Sequence, residues 1–115
     1  MAPGPARILT RARELLVYGW CQGAEARDAD GVSTNAWSPL AVKWSLLGAL
    51  VAAVDLPPDP PPTYLGPLRR ALAALAEVID EASLARWNDE PERTQGDVVA
   101  IVEAAQYVCE RWEGG

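Results

Sequence analysis

The stretch Ser38-Pro39-Leu40-Ala41-Val42-Lys43-Trp44-Ser45-Leu46-Leu47-Gly48-Ala49-Leu50-Val51-Ala52-Ala53-Val54 decides the fold class. Serine is a favoured helix N-cap, proline suits a first helical position, and Leu40, Trp44, Leu47, Leu50, Val51 and Val54 follow at helical spacing. The spacing predicts a helix that is apolar or small on nearly every side from Trp44 onward, and therefore a central one. Ser45 and Gly48, three apart on one face, leave room for a second backbone to approach closely. The run ends in Asp55-Leu56-Pro57-Pro58-Asp59-Pro60-Pro61-Pro62, where proline density excludes helix and central strand. A stiff extended linker over 56–62 is the reading, with a ligand for proline-binding modules as the lesser alternative.

Outward from that stretch, both flanks are helical. Ile8, Leu9, Ala12, Leu15 and Leu16 recur at the helical period after Pro5, predicting a helix over about residues 6–18 that Gly19 stops. Arg7, Arg11 and Glu14 then face water. Between Trp20 and Gly31 the pattern turns to partial alternation ending in Asp30-Gly31, a strong turn signal, so a short irregular hairpin or an ordered loop is expected. After the prolines, Leu65, Leu68, Leu72, Leu75 and Ile79 form a narrow stripe on a third helix beginning near Thr63 or Gly66-Pro67. Glu77, Asp80 and Glu81 crowd its C-terminal end, where the helix dipole disfavours anions. Residues 82–93 read as a turn-rich connection. Thr94-Gln95-Gly96-Asp97 approximates a capping box, and Val98, Ile101, Val102, Ala105, Val108, Cys109 and Trp112 define one face of a last helix. The expectation is a mainly α protein: one domain over residues 1–115, a compact array of about four helices, with Trp44 and Trp112 as its largest core pieces.

Composition bounds the function. The chain has 115 residues, half of them hydrophobic, with a net charge of −6 and no histidine. Histidine-based acid–base catalysis, triads of that type and histidine-ligated zinc are thereby excluded. The charge is uneven: residues 1–27 carry four arginines against two glutamates, whereas residues 76–115 carry ten acids against three arginines. An acidic chain with one mildly basic helix argues against nucleic-acid binding. The longest uncharged apolar run, Trp44 to Val54, is too short to span a bilayer, so neither a membrane role nor a location outside the cytoplasm is expected. Cys21 and Cys109, far apart in sequence, read as buried small hydrophobes.

Two tryptophan-led segments, Gly19-Trp20-Cys21-Gln22-Gly23-Ala24-Glu25-Ala26-Arg27-Asp28-Ala29-Asp30-Gly31 and Trp87-Asn88-Asp89-Glu90-Pro91-Glu92-Arg93-Thr94, concentrate polar and aromatic residues that a scaffold does not need. Asp28-Ala29-Asp30-Gly31 invites a calcium reading, but with Gly31 at loop position six the first and last ligand positions fall on Ala26 and Trp37. An aspartate bonding its own turn backbone is the better account. Asp89, Glu90 and Glu92 beside Asn88 can be paired carboxylates or a solvated loop. Trp20, Trp37 and Trp87 can each be a packing plug or a ligand-facing ring.

In Gly23–Gly31, Ala41–Leu50 and Trp87–Thr94 the chain resembles a family of small proteins from actinobacteria and their phages, a domain of unknown function; the resemblance spans roughly residues 6–110. Relatives often carry cysteine at the place of Ser45 and histidine at the place of Gln95, with an Asn-Asp pair matching Asn88-Asp89, which suggests a cysteine-hydrolase-like arrangement in them. Here thiol and imidazole are both missing, and serine without a base is a poor nucleophile, so the resemblance implies a degenerate member. The expectation is a non-catalytic accessory or binding protein without a cofactor or metal, monomeric or homodimeric, engaging a protein, peptide or small molecule. Its candidate site joins Trp20, Arg27, Asp28, Trp87, Asn88, Asp89, Arg93 and Thr94. The alternative is a hydrolase-like enzyme, metal-assisted or not, using Asp28, Asn88 and Asp89.

Overall fold

The computed structural model describes residues 4–54, 62–79 and 83–114. Among them, five helices and three short strands follow in the order α1 (Pro5–Tyr18), β1 (Ala26–Arg27), β2 (Ser33–Thr34), β3 (Lys43–Trp44), α2 (Leu46–Val54), α3 (Pro62–Val78), α4 (Leu84–Asn88) and α5 (Gln95–Gly114). The architecture is mainly α, as its periodicities require, with one helix more than the four expected. The proline-rich linker lies outside the described residues except for Pro62, which opens α3, and Asp80 and Glu81 are likewise outside them.

Helix α1 buries Ile8, Leu9, Ala12 and Leu16 and leaves Arg7, Arg11 and Glu14 exposed, as the pattern requires. Its antiparallel partner is α5. Gln95 Nε2 donates to the carbonyls of Leu16 (2.7 Å) and Val17 (3.2 Å), Arg13 pairs with Glu103 (2.9 Å), and Gln106 donates to the Thr10 hydroxyl (2.7 Å). Helix α5 opens with a reciprocal cap: the Thr94 N–H donates to the Asp97 carboxylate (3.0 Å) and the Asp97 N–H to the Thr94 hydroxyl (3.1 Å), so aspartate does the work of the usual glutamate. Val98, Val102, Ala105, Val108 and Cys109 are buried, but Trp112 is 44 % exposed and is no core piece. The reason is geometric. By Trp112 the antiparallel partner has run out: Pro5, the first residue of α1, lines the same groove as Trp112. Helix α3 packs on α5 and α1 through Ala71, Ala74 and Leu75, while Leu65 of the expected stripe is exposed.

The hairpin after α1 is real and small. Strand order is β2-β1-β3, all antiparallel, with Ala26 opposite both Thr34 and Trp44. Its turn is held by one Asp28 oxygen, which accepts from the N–H groups of Asp30 and Val32, both at 2.9 Å, and by Gly31 at φ +81°, a conformation that favours glycine.

The central helix begins later than Ser38-Pro39 suggests. Ser38 does accept from the Leu40 N–H (3.1 Å), but this closes a turn in which the Ala41 N–H returns to the Ser38 carbonyl (3.1 Å). Lys43-Trp44 is then taken by the sheet: Trp44 donates to the Gly19 carbonyl and accepts from the Cys21 N–H, both at 3.1 Å. Ladder bonds to distant chain outweigh a local cap signal, and Leu40 is left 68 % exposed instead of in the core. Ser45 is the residue that starts α2, its hydroxyl accepting from the Gly48 N–H (3.0 Å). A Cβ at Gly48 would collide with the Glu25 carbonyl oxygen, which also accepts from the Ser45 N–H (3.0 Å) and hydroxyl (3.2 Å). The small Ser45–Gly48 face thus seats the backbone leading into β1, the close approach its spacing implies. No helix among the described residues is long and apolar enough to cross a membrane.

Candidate functional site

The two tryptophan-led segments, more than sixty positions apart, meet at one buried amide. Helix α4, five residues long and capped by Ser83, turns Asn88 inward, where it is fully buried. Its Oδ1 accepts from the Trp20 indole N–H (2.7 Å) and from the Leu46 N–H (3.0 Å), the first donor of α2, which no intrahelical carbonyl can satisfy. Its Nδ2 donates to the Cys21 carbonyl (3.1 Å) and to Asp89 Oδ1 (3.0 Å). Both Oδ1 acceptances and both Nδ2 donations are therefore filled. The same Asp89 oxygen accepts from the Gly23 N–H (3.0 Å), and Gln22 Nε2 reaches the carbonyls of Asn88 (2.9 Å) and Glu90 (2.8 Å).

Arginines close the two loops from outside. Arg27 donates to the carbonyls of Gln22 (3.1 Å) and Gly31 (2.9 Å), tying the first loop to the hairpin turn. Arg93 donates to the Trp87 carbonyl (2.9 Å) and lies 3.9 Å over the Trp87 ring. Of the eight candidate residues, Trp20, Arg27, Trp87, Asn88, Asp89 and Arg93 form one connected set, and Thr94 adjoins it as the cap of α5. Asp28 does not join: the oxygen with which it bonds is engaged in its own turn. Arg27 and Arg93 both spend their side chains on carbonyls, because backbone oxygens left by irregular chain need donors. Among the described residues no buried side-chain nitrogen or oxygen lacks a partner.

The groups with chemical potential are similarly engaged. Burial pushes the Cys21 thiol above its ordinary range, reinforced by Asp89 and only partly offset by Arg27 and Lys43. The Ser45 hydroxyl donates to the Glu25 carbonyl and caps α2, while Gln95 caps the end of α1. No group of three metal-ligating side chains converges among the described residues. Gln22 belongs to the network yet carries no sequence signal to separate it from any loop amide.

The pattern of a family of unknown function, DUF6197, matches residues 1–107, which include both loops and every residue of the Asn88 network. The chain belongs to that family. No curated protein and no solved structure matches it. DUF6197 membership therefore covers the braced loops without assigning them an activity, and the physical role of the brace is open to direct measurement. Arg27→Ala and Asp89→Ala act on opposite sides of the Gln22-Gly23 segment. We expect each to destabilise the fold and the pair to be non-additive by about 0.5–1.5 kcal/mol in a urea-unfolding double-mutant cycle; strictly additive losses would mean that the two loops are independent.

Proposed function

We propose that this DUF6197 member is a non-catalytic helical accessory or binding protein, in which Trp20, Arg27, Trp87, Asn88, Asp89, Arg93 and Thr94 form a rigid polar-aromatic platform for a protein, peptide or small molecule. The observation that carries the reading is the saturation of Asn88: a catalytic amide must have valence left for substrate, and here it is spent between the loops. The other candidate catalytic groups support the same conclusion. The side-chain bonds of Asp28 close its own turn and do not reach Asn88-Asp89, and Cys21 has its thiolate disfavoured rather than stabilised. A platform of this kind has an outer side: Glu90, Pro91, Glu92, Arg93 and Asp97 line an open groove of about 520 Å³ beside the Trp87–Arg93 stack.

Covalent probes test the non-catalytic claim. Folded protein treated with a fluorophosphonate and, separately, with iodoacetamide near neutral pH is expected to show no modification at Ser45 by mass spectrometry. Cys21 should react more slowly than in urea-unfolded chain. Stoichiometric labelling of Ser45, or a Cys21 faster folded than unfolded, would establish an activated nucleophile and defeat the proposal.

A further inference from the structure

The exposed face of α1 has a spacing that is the same from either end. Arg7, Arg11, Glu14 and Tyr18 follow at intervals of four, three and four residues, which puts all four on one side of the helix. All four are exposed, Tyr18 by 75 %. The outer two are a cation and an aromatic ring, and the inner two a cation and a carboxylate. Among the described residues none of the three charged groups has an ion-pair partner, although Arg11 and Glu14 are three residues apart on a helix and close enough to pair.

Beside this face runs an open groove of about 460 Å³, between Leu15 and Tyr18 of α1 and Pro39, Ala41 and Val42 opposite. Leu40, between two of the lining residues, is 68 % exposed, and Tyr18 is held edge-on against the buried Trp44 ring, 6.3 Å between centroids. The lining carries one cation, Arg11, and one carboxylate, Glu14, so it favours neither an acidic nor a basic occupant. It fits a surface bearing the same two charges in the opposite order, and a second α1 running antiparallel is such a surface.

We infer that two copies of this chain associate through α1, antiparallel about a two-fold axis that passes between Arg11 and Glu14. In that arrangement Arg11 of each copy pairs with the partner subunit's Glu14, and each Arg7 guanidinium lies over the ring of the partner subunit's Tyr18. Each contact is made twice, and the apolar surface that Tyr18 and Leu40 hold in water is covered. Two chains of net charge −6 repel at long range, but salt at physiological strength screens that repulsion beyond about 8 Å. The acidic excess lies in residues 76–115, whereas α1 carries three arginines and one glutamate, so the faces that touch are not the acidic ones. The interface shares no residue with the loop platform and goes beyond it.

Sedimentation equilibrium of the full chain at about 0.15 M salt, from about 1 μM to about 1 mM, tests the inference with four variants whose folding is checked by thermal melting. The parent chain is expected to pass from monomer to dimer mass within that range. Arg11→Glu and Glu14→Arg each set like charges against each other and should weaken self-association about tenfold or more, as should Tyr18→Ala. Because the register places position 11 against position 14, an equimolar mixture of the Arg11→Glu and Glu14→Arg chains should form a mixed dimer with about the parent's affinity. The double variant Arg11→Glu/Glu14→Arg should recover that affinity alone. A monomer mass at every concentration overturns the inference, as does a mass that rises past the dimer, the mark of a head-to-tail contact. A dimer indifferent to the single substitutions, or one that neither the mixture nor the double variant restores, overturns it as well.

Discussion

Asn88→Ala should remove about 3–5 kcal/mol of folding free energy, a large part of what a domain of this size possesses. The substitution deletes the acceptor for the Leu46 and Trp20 N–H groups and the donor for the Cys21 carbonyl. Trp20 is half-buried and can recover water, but the Leu46 N–H and Cys21 carbonyl face the packed junction of α2, α4 and the first loop, and each costs ~1–3 kcal/mol when left unpaired. A urea titration followed by tryptophan fluorescence reads the loss directly. A change below about 1 kcal/mol would mean that the amide closes no essential bonds.

Asn88→Asp sharpens the same prediction. It keeps the acceptor oxygen, exchanges the donor nitrogen for a second oxygen and so loses both donations, and places a carboxyl beside Asp89 in a desolvated position, so burial and like charge both raise the introduced group above its unfolded value. A group raised in the folded state contributes stability that is fully present below its unfolded pKa, near 4, and is lost as pH rises through the folded value. The variant should therefore be least stable at neutral pH and recover part of its deficit relative to the parent chain on acidification. Unfolding midpoints compared at neutral and mildly acid pH give the sign; a deficit that grows on acidification would contradict it.

The second large effect separates two tryptophans that look alike in sequence. Trp44→Ala should cost ~3–5 kcal/mol, because the ring is buried between α1 and the sheet and its N–H is bonded to Ala36. Trp112→Ala should cost well under half as much, since its ring stands beyond the start of α1 and keeps much of its surface in water. Equal losses in thermal melts of the two variants would contradict this account of where α1 and α5 cease to overlap.

Their difference also shows what the sequence could and could not convey. Helices α1 and α5 were readable because their apolar stripes run several turns and end in recognisable punctuation, Gly19 after one and the Thr94–Asp97 box before the other. A stripe does not say where its partner stops, which is why the periodicity alone places Trp112 in the core. Ser38-Pro39 carries a sound local cap signal, but the bonds that decide Lys43-Trp44 come from Gly19, Cys21 and Arg27, which lie far back along the chain. Helix α4 is too short to display a period, so the element that turns Asn88 inward was invisible although the residue itself was a candidate. The gathering of polar and aromatic types in two loops is a legible sign that the loops meet. Asp28 is the exception because an aspartate three residues before a turn glycine bonds its own turn backbone.

The convergence of both loops on Asn88 is the claim on which the platform depends, and a solution NMR spectrum of the intact chain tests it most directly. The account predicts a nuclear Overhauser contact between the Trp20 indole N–H proton and the Asn88 side-chain amide protons, with that indole proton protected from solvent exchange. A freely exchanging Trp20 indole with no contact to Asn88 would contradict it.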